Sequence, residues 1–194
     1  MKNKILFTTN EALALKIAKK FNLEQEKTNI GVKIFSGSIN NEDRIILCLS
    51  GESKDEVLAS LTYIHDNYEF IKFINLGELS CVNNFEYKTG DIVIPNTFMA
   101  NGEDMPIFLS SMPEGNYELE DYGVIFNGIC FSCFCGQYSK EEVEECADMC
   151  DKESYFILKF FSGEEDFDEK FLMIKLYGDL HYYDNLISVL KMVL

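Results

Sequence analysis

Short apolar runs alternate along this chain with segments whose apolar residues recur every three or four positions. The runs predict β-strands at residues 4–8, 32–36, 44–49, 70–75, 91–95, 123–134 and 171–177. Segments with helical spacing begin near Glu11 and Ser53, and cover residues 141–161 and 185–194. Residues 101–122 are acidic and rich in turn formers, which predicts a loop region. This alternation predicts an α/β protein with a largely covered sheet.

The first two helices have recognisable start signals. Thr9 or Asn10 can cap the helix that begins near Glu11, and Ser53 or a neighbour can cap the second. Each helix then carries an apolar stripe: Leu13, Ile17, Ala18 and Phe21 in the first, and Val57, Leu58, Leu61 and Ile64 in the second. Such stripes predict helices that pack against a sheet.

Length and composition indicate one domain inside the cell. A chain of 194 residues with 47% hydrophobic and 13% aromatic residues can bury a sizeable core. No run of about eighteen uncharged apolar residues predicts a membrane span, and the N-terminus lacks the pattern of a signal peptide. We therefore expect a single cytoplasmic domain over residues 1–194.

The formal net charge of −16 argues against two classes of partner. Nucleic acids are bound by clusters of lysine and arginine, and no basic cluster offsets the acidic excess here. The same charge is repelled by an anionic lipid surface. We expect neither a nucleic acid nor a membrane as partner.

Seven cysteines raise the question of a metal site, because five of them fall within residues 130–150. Their spacing matches no standard zinc signature, and the first three lie in an apolar, strand-like run. His65 and His181 are too few for a histidine-based site. Since free cysteine is often buried and the cytosol keeps thiols reduced, we expect buried, reduced thiols, no metal and no cofactor.

Four segments, in order, resemble the purine nucleoside phosphorylase and methylthioadenosine/adenosylhomocysteine nucleosidase superfamily. They are SGESK at 50–54, NLG at 75–77 with GDIVIP at 90–95, ADMCDKESY at 147–155, and FLMIKLYGD at 171–179. A weaker match is GICF at 128–131, and FTTNEA at 7–12 is similar to the N-terminus of futalosine hydrolases. The resemblance implies a three-layer αβα fold with a central mixed sheet, a purine nucleoside as ligand, and a homodimer.

The resemblance also implies cleavage of an N-ribosidic bond, in which the leaving base gains negative charge and needs an acid. Asp179 matches the family's acid. If the end of the last strand were partly desolvated, the pKa of this carboxyl would rise enough to hold a proton. The alternative is an ordinary turn aspartate after Gly178.

Two glutamates complete the implied catalytic set. Glu153 matches the carboxylate that accepts the ribose hydroxyls, and Glu11 the residue that orients an attacking water. The alternatives are a solvated helical glutamate and a first-turn glutamate that complements the helix dipole. Gly77 and Phe131 lie in matching segments and are expected to line the substrate site.

The positions where the family's phosphorylases carry phosphate-binding arginines hold Leu13 and Asn75 here, and Arg44 is the only arginine in the chain. Bidentate phosphate binding strongly favours arginine. The expected nucleophile is therefore water. The predicted activity is that of a nucleosidase acting on a purine nucleoside of the methylthioadenosine, adenosylhomocysteine or futalosine type.

Two departures from the family leave an alternative open. Lys152 replaces a methionine that lies along the ribose, and Glu78 replaces a small residue next to the sugar, so both are expected at the substrate site. A lysine beside a forming sugar cation would destabilise the transition state. The alternative is a catalytically degenerate member that binds a nucleoside.

Overall fold

The structure is a computed structural model of the chain. It describes residues 2–28, 31–39, 42–82, 87–100, 103, 105–109, 119, 124–126, 128–133, 147–164 and 166–194. The chain divides into two compact units, Met1–Leu76 and Gly77–Leu194. That the two units act as one domain stays a prediction.

The first unit contains a mixed sheet with two helices. Its elements are β1 (Lys2–Thr8), α1 (Glu11–Lys20), β2 (Glu24–Gln25), β3 (Lys33–Ser38), β4 (Asp43–Leu49), α2 (Lys54–Asn67) and most of β5 (Phe70–Glu78). The central strand β1 pairs in parallel with β4 on one side and with β5 on the other. Strand β3 is antiparallel to β4, and β2 is antiparallel to β3.

Both helices of this unit begin as predicted. Asn10 caps α1 by accepting a hydrogen bond from the backbone N–H of Leu13 at 2.9 Å. Ser53 and Glu56 form a capping box at the start of α2. The buried faces carry Leu13, Ala14, Ile17 and Ala18 in α1, and Val57, Ser60, Leu61 and Ile64 in α2.

The second unit contains the C-terminal half of the fold. Its elements are β6 (Cys81–Val82), β7 (Ile92–Ile94), β8 (Thr97–Ala100), β9 (Ile107–Phe108), β10 (Val124–Phe126), β11 (Ile129–Ser132), β12 (Met149–Asp151), α3 (Ser154–Phe161), α4 (Phe167–Lys170), β13 (Phe171–Leu176), a 3₁₀ turn (Leu180–Tyr182) and α5 (Tyr183–Val193). Strand β7 pairs in parallel with β10 and antiparallel with β13. A separate five-stranded sheet has the order β6-β12-β11-β8-β9.

Three predicted boundaries are wrong. Within residues 147–161, the described part of the helix predicted over residues 141–161, only α3 is helical, and Met149–Asp151 is a buried strand between β11 and β6. The strand predicted over residues 123–134 is two strands, because β10 pairs with β7 whereas β11 pairs with β8 and β12. The predicted loop contains β9, which pairs with β8. Residues 141–146 and most of 101–122 lie outside the described residues.

The prediction of an α/β fold with a mixed sheet is confirmed. None of the helices among the described residues is long and apolar enough to cross a membrane. Cys48 and Cys130 are free and buried, as predicted. Cys150 is disulfide-bonded, so the prediction of reduced thiols is wrong there, and its partner is not among the described side chains. A disulfide joins residues by their distance in the fold, which sequence spacing does not give.

Candidate functional site

One lysine and two carboxylates form a buried group in the second unit, which we call the Lys175 cluster (Asp151, Glu153 and Lys175). The ammonium of Lys175 on β13 lies 2.7 Å from a carboxylate oxygen of Asp151 and 3.1 Å from one of Glu153. The side chains of Lys175 and Asp151 are 0% exposed, and that of Glu153 is 5% exposed. Isolated charges are rarely buried this deeply, because each loses several kcal/mol of hydration that only close partners offset.

Asp151 is held by more than the lysine. The Ser132 hydroxyl on β11 donates to one of its oxygens at 2.6 Å, and the Ser154 hydroxyl donates to the other. The backbone N–H of Ser154, in the first turn of α3, lies 3.3 Å from both. A carboxylate at this end of a helix also meets the positive end of its dipole. Asp151 therefore anchors the cluster to β11 and α3.

The environment keeps both Asp151 and Lys175 charged. Burial alone would raise the pKa of Asp151, but the Lys175 ammonium and the hydrogen bonds hold that pKa below its ordinary value. Burial alone would lower the pKa of Lys175, but the carboxylates of Asp151 and Glu153 raise it above its ordinary value. The neighbouring Cys130 thiol stays protonated because burial, and then Asp151, raise its pKa.

Gly77 on β5 lets the cluster approach the strand backbone. A Cβ atom built on Gly77 would lie 3.1 Å from a Glu153 carboxylate oxygen and 3.2 Å from the Lys175 ammonium. Both values are tighter than ordinary van der Waals contact, so a side chain here would press on the ion pair. The structure therefore brings together two of the residues predicted from the sequence, Gly77 and Glu153.

Asp179 has an environment unlike the one expected from the sequence. Its side chain is 68% exposed and accepts from the backbone N–H of His181 at 3.0 Å, with the His181 ring nitrogen at 2.8 Å. These two contacts lower the pKa of Asp179. The expectation of a raised pKa is wrong here, because the carboxyl is solvated and caps the 3₁₀ turn. The role of Asp179 as an acid stays a prediction.

Glu11 is an exposed first-turn residue of α1 that forms an ion pair with Lys33 on β3. The Lys33 ammonium donates to its carboxylate at 2.7 Å, and this contact lowers the pKa of Glu11. Both side chains are more than half exposed. The predicted role of Glu11 in orienting water stays a prediction.

The remaining predicted site residues lie in differing surroundings. Glu78 follows Gly77 on β5, and because successive strand side chains point to opposite faces, it points away from the Lys175 cluster. Its carboxylate accepts instead from the hydroxyl of Tyr183 on α5. Lys152 is exposed, and Phe131 on β11 is half-buried. Substrate contact by Glu78, Lys152 and Phe131 stays a prediction.

Leu13 and Asn75, the positions that the resemblance matches to phosphate-binding arginines, are buried in the first unit. Leu13 packs in the core, and the buried Asn75 amide donates to the backbone carbonyl of Phe7 at 3.4 Å. Arg44 donates to Glu26 at 2.6 Å and to Ser36 at 2.9 Å. Arg44, the only arginine in the sequence, thus has its guanidinium hydrogen-bonded to Glu26 and Ser36.

A cavity of about 470 Å³ lies between the turn before β7 and helix α5. It is lined by Thr89, Gly90, Asp91, Ile92, Tyr182, Asn185, Ser188 and Val189. None of these residues belongs to the Lys175 cluster. Its wall includes the Tyr182 ring, which follows Asp179 in the 3₁₀ turn.

Gly90→Ala should destabilise the protein by about 1–3 kcal/mol, because two effects combine. Gly90 has a φ of 103°, which side chains disfavour, and a Cβ there would lie 2.7 Å from the Tyr182 ring. Chemical denaturation measures the loss. The matched control is Gly163→Ala, whose Cβ would meet nothing within 4 Å. Equal effects of the two substitutions would contradict the predicted contact with Tyr182.

Sequence reasoning missed Lys175, Asp151, Ser132 and Ser154. One signal was available: Lys175 is the only charged residue in the apolar run FLMIKLY. All six residues of β13 are buried, and a lysine in such a strand requires a buried anion nearby. The sequence could not identify that anion, because Asp151 and Glu153 are more than twenty residues away in the chain.

Comparison with known proteins gives similarity in structure alone. No family model matches the chain, and no curated protein matches it. Many solved structures match the chain, several of them over nearly its whole length. A futalosine hydrolase mutant of Helicobacter pylori strain 26695 has a TM-score of 0.75 and 15% identity, covering 99% of this chain and 98% of that one.

A methylthioadenosine/adenosylhomocysteine nucleosidase has a TM-score of 0.77 and 12% identity, covering 100% of this chain and 94% of that one. The nucleosidase of S. pneumoniae with a transition-state inhibitor has a TM-score of 0.73 and 14% identity, covering 100% and 92%. The chain therefore has the nucleoside phosphorylase and nucleosidase fold, as predicted. Identity this low shows the fold alone; the predicted homodimer and cytoplasmic location stay predictions.

Proposed function

We propose that this protein is a nucleosidase that hydrolyses the N-ribosidic bond of a purine nucleoside derivative. The substrate would be of the methylthioadenosine, adenosylhomocysteine or futalosine type, and the nucleophile would be water. The structures with this fold include a futalosine hydrolase and methylthioadenosine nucleosidases, which supports the choice of reaction.

The observation that carries the proposal is the buried carboxylate of Glu153. It lies at the start of α3, beside Gly77, in the segment whose sequence matches the family's ribose-binding motif. A carboxylate can accept hydrogen bonds from two vicinal hydroxyls at once. Burying such a group is unfavourable for stability unless it is well paired, so a carboxylate in this position calls for an explanation beyond packing. Glu153 is therefore our candidate for the residue that accepts hydrogen bonds from the ribose hydroxyls.

The direct test is to incubate the protein with methylthioadenosine, adenosylhomocysteine and futalosine and to measure the free base. We expect release of adenine or hypoxanthine at the same rate with and without phosphate. Formation of the 5-substituted ribose 1-phosphate, with base release only when phosphate is present, would show phosphorolysis instead of hydrolysis. No base release from any of the three would count against the proposal.

Glu153→Gln should weaken the binding of an active nucleoside about tenfold to a hundredfold, because a charged acceptor for the ribose hydroxyls becomes neutral. The change is isosteric, so thermal unfolding should show a folded protein. Glu169→Gln is the matched control, because it makes the same change at an exposed glutamate of α4 that lies outside the Lys175 cluster. Unchanged affinity in Glu153→Gln would remove Glu153 from the site.

A second candidate is a nucleoside-binding protein without catalytic activity. The observation that favours it is the exposed Asp179 carboxyl, whose pKa is lowered by His181 rather than raised for proton transfer. Thermal-shift measurements with the same nucleosides would separate the two candidates. Stabilisation by a nucleoside without release of its base would favour the binding protein.

A further inference from the structure

We propose that Lys175 is a positioning residue for Glu153: its ammonium, anchored on Asp151, holds the Glu153 carboxylate ionised and in one orientation. The significance for a ligand rests on the proposed function, in which Glu153 accepts the ribose hydroxyls. The action of Lys175 on Glu153 does not depend on that function and can be tested by itself.

Burial fixes the position of the Lys175 side chain. A lysine ammonium is a compact charge with three donors on a flexible stem, and it orients a partner only when it is fixed itself. Here the whole side chain is 0% exposed in the buried strand β13. It therefore has no solvated alternative to its two carboxylate partners.

The two carboxylates differ in how closely they hold the Lys175 ammonium. Asp151 lies closer to the ammonium, at 2.7 Å against 3.1 Å for Glu153. Asp151 is also fixed by the hydroxyls of Ser132 and Ser154, and Ser132 in turn accepts from the backbone N–H of Tyr155 at 2.9 Å. Asp151 thus fixes Lys175, and Lys175 presents its charge to Glu153.

The Lys175 cluster contains more acidic than basic groups. Two carboxylates and one ammonium leave one negative charge, and the adjacent Cys130 thiol is neutral because burial raises its pKa. A buried negative charge attracts hydroxyl donors and a developing sugar cation, and repels an anionic ligand. Lys175 keeps two acidic groups ionised while leaving that single negative charge.

The test compares Asp151→Asn with the double variant Asp151→Asn/Lys175→Met. The double variant has the same formal cluster charge as the wild type, which limits the risk of unfolding. The readout is the pH titration of the Glu153 side-chain carboxyl by carbon-13 NMR, assigned with Glu153→Gln. Among the described residues, the titratable groups that act on this carboxyl include Lys175 on β13 and Cys130 on β11, and Asp151 on β12 shares the Lys175 ammonium with it.

We expect the titration midpoint of Glu153 to rise by about 1–3 pH units from the single to the double variant, since an adjacent opposite charge is removed. Lys175→Arg, which keeps the charge, should titrate like the wild type. Equal midpoints in the single and double variants would overturn the proposal, because a purely structural lysine would not alter the ionisation of Glu153.

A binding measurement then tests the orientation. The probes are a non-hydrolysable, carbon-linked adenosine analogue and its 2′,3′-dideoxy form. We expect the wild type to prefer the dihydroxy probe roughly tenfold or more, Asp151→Asn to keep only part of this preference because its lysine is less firmly anchored, and the double variant to lose it. A preference retained in the double variant would overturn the positioning role. A wild type without any preference would instead refute the proposed ribose contact, and the NMR comparison would still decide whether Lys175 acts on Glu153.

Discussion

Lys175→Met should lower the free energy of unfolding by about 3–5 kcal/mol at neutral pH, the typical effect of removing one partner from a buried ion pair. The substitution leaves Asp151 and Glu153 buried with like charges and no cation between them. Denaturant titration of the variant and the wild type measures the difference.

The pH dependence of stability should separate this electrostatic effect from lost packing. In the wild type, folding lowers the pKa of Asp151, so its ionised carboxylate stabilises the fold at pH values above the unfolded pKa of about 3.9. This stabilisation is lost as pH falls through the folded pKa. Folding raises the pKa of Lys175, so its charged ammonium stabilises the fold at pH values below the unfolded pKa of about 10.4. This stabilisation is lost as pH rises through the folded pKa. The contribution of Asp151 and Lys175 to the free energy of unfolding of the wild type should therefore be constant between about pH 5 and pH 9.

In Lys175→Met, protonation of one carboxyl relieves the repulsion, so the variant should gain stability as pH falls from 7 to 5. The control is the triple variant Asp151→Asn/Glu153→Gln/Lys175→Met, in which the cluster is neutral. It should recover most of the loss, because neutral groups are less costly to bury than unpaired charges. A triple variant as unstable as the single one would show that packing of the lysine stem, not charge, holds the cluster together.

Asp179→Asn should reduce nucleoside hydrolysis by about a hundredfold or more if Asp179 is the general acid. An amide cannot deliver a proton to the leaving base. Ligand affinity should change much less, so the effect should appear in kcat rather than in KM. Steady-state kinetics with the substrate identified by base release make this measurement.

His181→Ala is the companion variant for Asp179. It removes the ring contact that helps to lower the pKa of the Asp179 carboxyl. If Asp179 acts in its protonated form, the rate falls as pH rises through its pKa. In His181→Ala this fall should occur at a higher pH than in the wild type. Equal activity of Asp179→Asn and the wild type would exclude Asp179 as the general acid.

Local signals in the sequence were sufficient for much of the fold. The predicted starts of α1 and α2 agree with the caps at Asn10 and Ser53, because capping depends on residues within three or four positions. The apolar stripe of α1 likewise gave its buried face. Local signals failed at residues 149–151, where spacing favoured a helix but pairing with β11 and β6 forms a strand. Long-range pairing overrides local preference where both faces of a segment are buried.

The properties of the candidate site also divide into those that the sequence indicated and those that depend on the fold. The sequence indicated Glu153 and Gly77 through the order of their motifs, and the fold brings their atoms together. It also placed Asp179 after the last strand but gave the wrong direction for its pKa, because solvation and the contact with His181 depend on the turn that follows.

By itself, then, the sequence determined the class of fold, the helix boundaries set by local caps, and the absence of arginine beyond Arg44. Only the tertiary structure decided that Lys175 meets Asp151 and Glu153, and that Glu78 turns towards Tyr183. The physical reason is that periodicity and capping act within a few residues, whereas burial and ion pairing depend on which strands become neighbours. A lone lysine in an apolar strand predicts that a counter-charge exists, but the fold determines which residue supplies it.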